Sequence, residues 1–564
     1  MKATQRFPAS AVLLASCMLA SAVCASAAST AKVPMFDGLG SHTRKITTDS
    51  REAQRYFDQG KAFLHAFNHD EAIRSFEQAT ELDPTCAMAW WGIALACGPH
   101  INNPAVPPHR SEQAWKAVEQ ARAHALKGTP VERALIDAQM ERYANPVPED
   151  RRHLDEAYAA AMRKLWQAQP KDADIGAWFA EAAMDLHPWD LWLKDGQARP
   201  WTGEIVATLE ATMKLQPSHP LANHLYIHTI EASSNPGRAD AAARRLRHLQ
   251  PGLGHNVHMP SHIDVLLGRW QLAIDTNARA AEADRVYREK SGKPQDFYRI
   301  YMAHNHHMLA FAAMMTGQGS LAISTIRKMI AEMPEAWLRD YAIYVDGWIA
   351  MPFEVMVRFG RWDEIMAEPE PAEHFPLSRA SRHEARGIAL ATSGRTAEAR
   401  AEQAAFERER ARIVPESTFG NNKSAAIAAV AADLLEGEIL YREGKIEEAF
   451  SVMRRAVEAE DALAYDEPPG WIQPVRHALG ASLMQSRRYA EAEAVYRADL
   501  KKWPENGWSL RGLADALRAQ DRAADAASVE ARFRKTWAKA DVKIASSCFC
   551  QPGTSNERRA ESGE

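Results

Sequence analysis

The fold is decided by residues 56–84, which read YFDQGKAFLHAFNHDEAIRSFEQATELDP. Small residues in this stretch fall where two antiparallel helices would cross, and aromatic residues fall where neighbouring helix pairs would pack. The positions that fit this arrangement are Tyr56, Gly60, Phe63, Ala72, Phe76, Ala79 and Pro84. The stretch therefore predicts two helices joined by a short turn.

The same spacing recurs along the chain, beginning with Trp90 and Ala94, which lie one period of about 34 residues after Tyr56 and Gly60. Further copies contain Gly480, Leu483, Ala492, Tyr496 and Pro504; Gly437, Ala449 and Ala456; and Gly387, Leu390 and Ala399. No stretch alternates with period two for long enough to predict a sheet. The pattern resembles the tetratricopeptide repeat, and this resemblance implies an all-α superhelix, or α-solenoid, whose helix pairs are stable only when stacked.

The repeats and the flanking segments suggest six regions. We assign residues 1–27 to a signal peptide, 28–50 to a linker, 51–145 to N-terminal repeats, 146–350 to central histidine-rich repeats, 351–545 to C-terminal repeats and 546–564 to a flexible tail.

The N-terminus predicts export. Lys2 and Arg6 precede an apolar run from Ala11 to Ala25, and small residues follow at the end of that run, as at a signal peptidase site. We expect a periplasmic or secreted protein with no transmembrane segment after signal removal. A lipid anchor at Cys17 is the alternative, although the apolar run continues past that residue.

The charge balance argues against nucleic acid as a partner. The chain has 68 basic and 73 acidic side chains and a formal charge of −5, whereas phosphate binding needs a concentrated basic surface. The cysteines do not form a disulfide framework. Cys548 and Cys550 could form a disulfide or lie in a loose tail, and Cys86 and Cys97 are expected to pack as small hydrophobic residues.

Histidine is concentrated in one region. Ten of the 21 histidines lie between His219 and His307, a window that would hold about three if they were evenly spread. Three segments there have the spacing of metal ligands on helices, and they would be neighbours in a solenoid. The predicted ligands are His224, His228, Glu231, His255, His258, His262, His304 and His307.

These eight donors are too many for one ion, because structural zinc takes four ligands and catalytic zinc takes three plus water. We therefore favour a binuclear site, in which some of the eight orient the true ligands. Nitrogen ligands on helices favour copper or zinc over the carboxylate-rich sites of di-iron bundles. Glu231 could bridge two ions or act as a general base, so it is the candidate catalytic residue. A hydrogen-bonded polar core without metal is the simpler alternative.

Four other polar residues could join this site. His100 interrupts an early repeat, Glu181 and Asp185 lie four residues apart on a predicted helix, and His306 is turned away from its histidine neighbours. A turn would explain His100, and a solvated helix face would explain the two carboxylates.

The histidine segments and the repeats together resemble a group of exported bacterial tetratricopeptide-repeat proteins. That group carries the motifs H-x-x-x-H-x-x-E, G-H-x-x-H-M-P-S-H-I and H-N-x-H. The matching residues are His224–Glu231, Gly254–Ile263 and His304–His307, with further similarity at Pro188–Asp190, Tyr465–Pro469 and Glu505–Leu510. The resemblance implies a fold and a place for the site, but no reaction is established for the group.

We predict an exported metalloprotein with a mono- or binuclear copper or zinc site, acting as an enzyme in oxidation or metal-assisted hydrolysis. Two alternatives stay open. The chain could be a non-enzymatic scaffold that binds peptides or protein partners, or a protein that stores or delivers metal. The concave groove could also accept a small molecule.

Overall fold

A computed structural model describes residues 33–551. The predicted signal peptide and Cys17 lie outside this range, as do residues 552–564 of the predicted tail. Within the described range the chain forms 26 α-helices, α1–α26, and one short hairpin, which confirms the all-α prediction. Of these helices, none combines the length and apolar character that crossing a bilayer requires.

Most helices pack against the next helix along the chain. The first third contains α1 (Arg51–Leu64), α2 (His69–Leu82), α3 (Ala87–Ala96), α4 (Pro108–His124), α5 (Pro130–Met140), α6 (Arg152–Ala168), α7 (Ala173–Asp185) and α8 (Thr202–Leu215). The central third contains α9 (Pro220–Ile230), α10 (Asp240–Leu249), α11 (Gly254–His258), α12 (Pro260–Leu266), α13 (Trp270–Ser291), α14 (Tyr298–Met315), α15 (Gly319–Ala331), α16 (Glu335–Asp340) and α17 (Ala342–Arg358). The last third contains α18 (Trp362–Ala367), α19 (Pro376–Thr392), α20 (Thr396–Arg410), α21 (Ser424–Arg442), α22 (Ile446–Ala462), α23 (Val475–Gln485), α24 (Tyr489–Lys502), α25 (Gly507–Arg518) and α26 (Ala523–Thr536).

The hairpin pairs β1 (Thr418–Phe419) with β2 (Asn422–Lys423) in antiparallel register and lies between α20 and α21. Three short 3₁₀ segments complete the regular structure: Ala125–Lys127, Pro236–Ala239 and Trp537–Lys539.

Glycines let an aromatic ring fit between successive helix pairs. A Cβ added to Gly60 of α1 or to Gly92 of α3 would lie 2.7 Å from the ring of Phe76 on α2. Such a distance is shorter than normal packing permits, so these positions need glycine. The same arrangement recurs at the C-terminal end with Gly480, Tyr496 and Gly512.

Two hydrophobic cores meet at the centre of the chain. The first core runs from Ile46 to Met302, and the second runs from Val265 to Cys550. Helices α12, α13 and α14 contribute to both cores. We call α11–α14 the seam, and most of the predicted metal ligands lie on it.

The outer repeats return to the central helices. In the N-terminal half, the hydroxyl of Tyr287 on α13 donates to the Glu71 carboxylate on α2 at 3.0 Å. In the C-terminal half, the indole N–H of Trp508 on α25 donates to the carbonyl of Met314 on α14 at 2.7 Å. Each half is therefore bonded to the centre of the chain at its outer end as well as through its sequence neighbours.

The chain beyond α26 packs against the first helices of the C-terminal repeats. Arg358 on α17 donates to the carbonyl of Ser547 at 2.8 Å, and Gln551 donates to Ser482 on α23 at 3.0 Å. Cys548 and Cys550 form a disulfide, the first of the two alternatives that the sequence left open. Residues 546–551, which we expected to begin a flexible tail, are instead packed, because their polar groups bond to these helices.

Candidate metal centre

The three predicted histidine segments converge at the seam. His224 and His228 lie on α9, and Glu231 follows that helix directly. His255 and His258 lie on α11, and Pro260 starts α12, which carries His262. His304 and His307 lie on α14. All eight side chains are buried except that of His304, which is partly exposed.

Two groups of three histidines bring their ring nitrogens together. Triad 1 comprises His224, His228 and His255, and triad 2 comprises His258, His262 and His304. Within each triad the candidate ligand atoms lie within 4.8 Å of one another. The triads are adjacent, because the ring centroids of His255 and His258 are 5.8 Å apart and those of His228 and His262 are 5.6 Å apart.

Hydrogen bonds fix the tautomers of two histidines in triad 1. Nδ1 of His224 lies 2.9 Å from the carbonyl oxygen of His65, to which it must donate, and Nδ1 of His228 lies 2.8 Å from Oε1 of Glu231. Each Nε2 is then left with a lone pair, is buried, and has no partner in the protein. His255 has no partner for either ring nitrogen.

Two histidines of triad 2 are oriented in the same way. Nδ1 of His258 lies 2.5 Å from the Asn277 side-chain oxygen, whose amide is oriented by donating to Ala273 at 2.8 Å. Nδ1 of His262 lies 2.5 Å from Oε2 of Glu231. The lone pairs of the two Nε2 atoms therefore face each other at 2.7 Å, and two acceptors at that distance require a proton or a cation.

Burial keeps these imidazoles neutral. Desolvation and then neighbouring imidazoles hold the pKa values of His224, His255, His258 and His304 well below 6.5. Neutral imidazole is the form that binds metal ions. Burial alone would raise the pKa of Glu231, but the interactions with His262 and His228 outweigh it and lower this pKa to about 2.

Glu231 lies behind the triads rather than among their free nitrogens. Each of its oxygens accepts a hydrogen bond from one triad, Oε1 from His228 and Oε2 from His262. This geometry is that of a carboxylate that orients metal-bound histidines. Glu231 also falls within ligand distance of these two histidines, so a role as ligand or base stays a prediction.

The other candidate residues occupy different surroundings. His307 lies near triad 2 but in neither triad, and Trp348 donates to its Nδ1 at 3.3 Å. His100 lines the cavity described below. His306 points to the carbonyl of Met302, outside the triads.

Glu181 and Asp185 do not form a solvated face, as their spacing suggested. Both side chains are buried, and Asp185 pairs with Arg142 at 2.8 Å. Burial and the negative charge of Glu181 raise the pKa of Asp185 well above its usual value despite Arg142.

Another histidine group, His42, Asp174 and His219, is satisfied without an ion. Gln216 donates to Nδ1 of His42, and the N–H of Ala222 donates to Nδ1 of His219. Both histidines must then donate from Nε2 to Asp174, at 2.8 and 3.1 Å. These nitrogens have no free lone pair for a cation.

Two aromatic residues in left-handed backbone conformations pack on triad 1. Phe67 has φ 57° and lies 4.4 Å from the His224 ring, and Trp189 has φ 59° and meets the His228 ring edge-on at 5.2 Å. In five other helix pairs, glycine occupies the position of Phe67 in the turn: Gly268, Gly317, Gly360, Gly394 and Gly444. A side chain there costs about 1–2 kcal/mol, so Phe67 carries a backbone strain that glycine avoids in those five turns.

A cavity of about 780 Å³ opens beside both triads. It is lined by His228 and His255 of triad 1, by His262 and His304 of triad 2, and by Glu467. Oε2 of Glu467 is buried without a hydrogen-bond partner and lies 3.8 Å from Nδ1 of His262, while Tyr465 donates to Oε1 at 2.7 Å. The sequence motif at Tyr465–Pro469 contained Glu467, but its spacing gave no reason to place it beside histidines 160 or more residues away.

Comparison with known proteins supports the fold. Residues 57–97 and 477–540 match the tetratricopeptide repeat family, so repeats of this class are present at both ends of the array, as predicted. A sequence comparison with curated proteins gives no match.

Similar solved structures include the human IFIT1 dimer with PPP-AAAA, at 12% identity over 86% of this chain and 91% of that chain, with a TM-score of 0.33. Yeast Tom70 shows 10% identity over 87% of this chain and 91% of that chain, with a TM-score of 0.29. Similarity at this level carries no argument about function.

Proposed function

We propose that the chain is an exported helical-repeat metalloprotein whose seam holds two transition-metal ions, one in each triad. Export is proposed from the sequence alone, on the signal peptide predicted at residues 1–27. Three histidines per ion match the protein ligand count of catalytic metal sites, which leave a position open for water or substrate. Glu231 serves both ions by orienting His228 and His262.

One observation carries the proposal. Nε2 of His258 and Nε2 of His262 face each other at 2.7 Å, while both Nδ1 atoms are committed as donors. A polar core without metal would place a donor opposite an acceptor, because every buried polar group without a partner costs about 1–3 kcal/mol. Triad 1 adds two further buried Nε2 lone pairs, those of His224 and His228.

Imidazole-only ligands fit copper or zinc best. A bound copper pair would supply redox chemistry with dioxygen, and a bound zinc pair would activate water for hydrolysis. The protein contributes oriented imidazoles, a carboxylate behind them, and a cavity that reaches both triads.

A protein-binding scaffold is the second candidate, and the two tetratricopeptide matches favour it. Such arrays present concave binding surfaces to partners. In the C-terminal repeats, however, the chain's own residues 546–551 already pack against the first helices of the pairs, through contacts with Arg358 and Ser482. A partner at this surface would have to displace that segment.

The test is the metal content of the mature chain, produced without a histidine tag and supplied with copper or zinc. We expect two ions per chain in the wild type, one in His224→Ala, one in His304→Ala and none in the double variant. His306→Ala is the matched control, since His306 is buried on α14 but lies outside both triads. Circular dichroism verifies that each variant is folded.

A folded wild type that cannot be loaded would favour the scaffold, and two ions retained in the double variant would refute the site assignment. Rapid release of the ions to a weak chelator would indicate storage or delivery, because a catalyst has to keep its ions.

A further inference from the structure

The cavity beside the triads has the size of a small-molecule site. Its volume of about 780 Å³ lies within the range of roughly 300–1,000 Å³ for pockets that bury small organic ligands. The question is which class of molecule its walls would recognise.

Aromatic side chains from both cores line the cavity. The first core supplies Phe67, Phe297 and Tyr301, and the second supplies Tyr341, Trp348 and Phe419. Aromatic rings favour other rings by about 0.5–1.5 kcal/mol beyond the burial of apolar area. The cavity is therefore better suited to a flat aromatic molecule than to an aliphatic one.

Among the polar groups of the cavity that have no partner are a donor and an acceptor outside the triads. The Trp348 indole can only donate, and it donates to Nδ1 of His307, so Nε2 of His307 carries a hydrogen that no protein atom accepts. Nδ1 of His69 donates to the carbonyl of Ala96 at 2.8 Å, so Nε2 of His69 has a free lone pair. A ligand that both donates and accepts would satisfy such groups.

The charged groups of the lining disfavour an anionic ligand. Among the described lining residues the one guanidinium, that of Arg110, pairs with Asp70. Asp296, Asp466 and Glu467 add further carboxyl groups to the wall. An anionic ligand would meet these carboxyl groups without a free cation to bind it.

We infer that the cavity binds a neutral phenol, whose ring lies between the aromatic residues of the two cores and whose hydroxyl accepts a hydrogen bond from His307. His307 lies one helical turn after His304, so the hydroxyl lies on the side of the cavity that faces triad 2. The binding of phenol depends only on the cavity. A role for phenol as a substrate would rest on the proposed function.

The test is calorimetric titration of the full mature chain after metal removal by a chelator. The probes are phenol, cyclohexanol, which keeps the hydroxyl but lacks an aromatic ring, and toluene, which keeps the ring but lacks the hydroxyl. We expect phenol to bind at least ~5-fold more tightly than either, because each comparator loses one of the two interactions. Equal affinities for phenol and cyclohexanol, or for phenol and toluene, would overturn the inference, as would no saturable binding of phenol.

Variants locate the site. Phe419→Leu keeps an apolar side chain but removes one ring, and we expect it to weaken phenol binding about 3- to 10-fold. Tyr344→Phe is the control, because the Tyr344 side chain at the cavity wall is half exposed and keeps its ring. Unchanged phenol affinity in folded Phe419→Leu would mean that phenol binds elsewhere.

The proposed function and the phenol inference can be refuted independently of each other. A chain that binds phenol but takes up no metal keeps this inference and loses the proposed function. A chain that binds two ions but no phenol keeps the proposed function and loses this inference.

Discussion

Glu231 is a single residue that serves both triads. Its side chain is fully buried, and its two oxygens accept from Nδ1 of His228 and Nδ1 of His262. Because a hydrogen bond at Nδ1 fixes the tautomer, Glu231 determines that both histidines present lone pairs at Nε2. Its influence on metal binding should therefore extend to both triads.

Glu231→Gln keeps the size of the side chain and removes its charge. An amide has one acceptor oxygen, so one of the two histidines loses its acceptor and both lose the negative charge behind them. We expect metal affinity to fall about 10- to 100-fold, as measured by competition with a chromogenic chelator. Glu448→Gln, an exposed position on α22, should leave affinity unchanged. An unaltered affinity in Glu231→Gln would show that the carboxylate does not orient the ligands.

Phe67 illustrates what the sequence could not predict at this scale. The turn position it occupies was predictable from the repeat, but the left-handed conformation at Phe67 is visible only when the backbone is known. Its ring packs on His224, which is far away in the sequence. The position of Glu467 was also not predictable from the sequence. Its proximity to His262 arises because the second core packs against the seam.

At the scale of elements, close helix crossings hold the repeats together. Gly92→Ala on α3 would place a methyl group 2.7 Å from the ring of Phe76, which is itself fully buried. We expect overpacking to lower the free energy of unfolding by about 1–3 kcal/mol in a urea titration. Gly203→Ala on α8 is the control, since nothing lies within 4 Å of its added Cβ. A wild-type midpoint for Gly92→Ala would mean that the helices separate easily.

A second feature of the elements is a row of buried carboxyl groups on successive first helices. Glu354 lies on α17, Glu384 on α19 and Glu438 on α21, and all three are buried. Burial raises the pKa of Glu354 from 4.5 to about 8 and that of Glu438 to about 7. The pKa of Glu384 is raised well above its usual value, chiefly by burial and further by the charges of Glu354 and Glu438.

The sign of the pH dependence follows from these directions. The folded chain keeps the Glu354 proton between pH 4.5 and about 8, whereas the unfolded chain releases it. The contribution of Glu354 to stability is thus complete below pH 4.5 and is lost as the pH rises through about 8, at about 1.4 kcal/mol per pH unit.

Glu354→Gln imitates the protonated side chain at every pH. We expect it to resemble the wild type at pH 5 and to be more stable by a few kcal/mol at pH 8.5, on the order that the raised pKa implies. Urea titrations of the metal-free chain at the two pH values measure the difference. A variant that is equally destabilised at both values would show that Glu354 ionises normally.

The sequence predicted the elements better than their arrangement. Periodic small and aromatic residues such as Gly60 and Phe76 predicted the helix pairs, and spacings such as His224 to His228 predicted which residues share a face. The sequence did not predict the division of the donors into two triads. That division depends on α11 ending at His258 and α12 starting at Pro260, which turns His262 toward Glu231.

At the scale of the whole molecule, the seam connects the two cores. The cavity takes residues from both cores, with Phe67 from the first and Trp348 from the second. The cavity beside the triads is therefore not a property of any one repeat. It forms only when the N-terminal and C-terminal repeats are folded together.

Because the outer repeats contact the central helices, this array should unfold differently from an open one. An open repeat array frays from its ends, because each unit is held only by its neighbours. Here Glu71 near one end and Trp508 near the other are bonded to α13 and α14. Fraying at either end must break contacts with the seam, so the two halves are coupled through the helices that carry the histidines. Ions bound there would crosslink the central helices and so slow the unfolding of both halves.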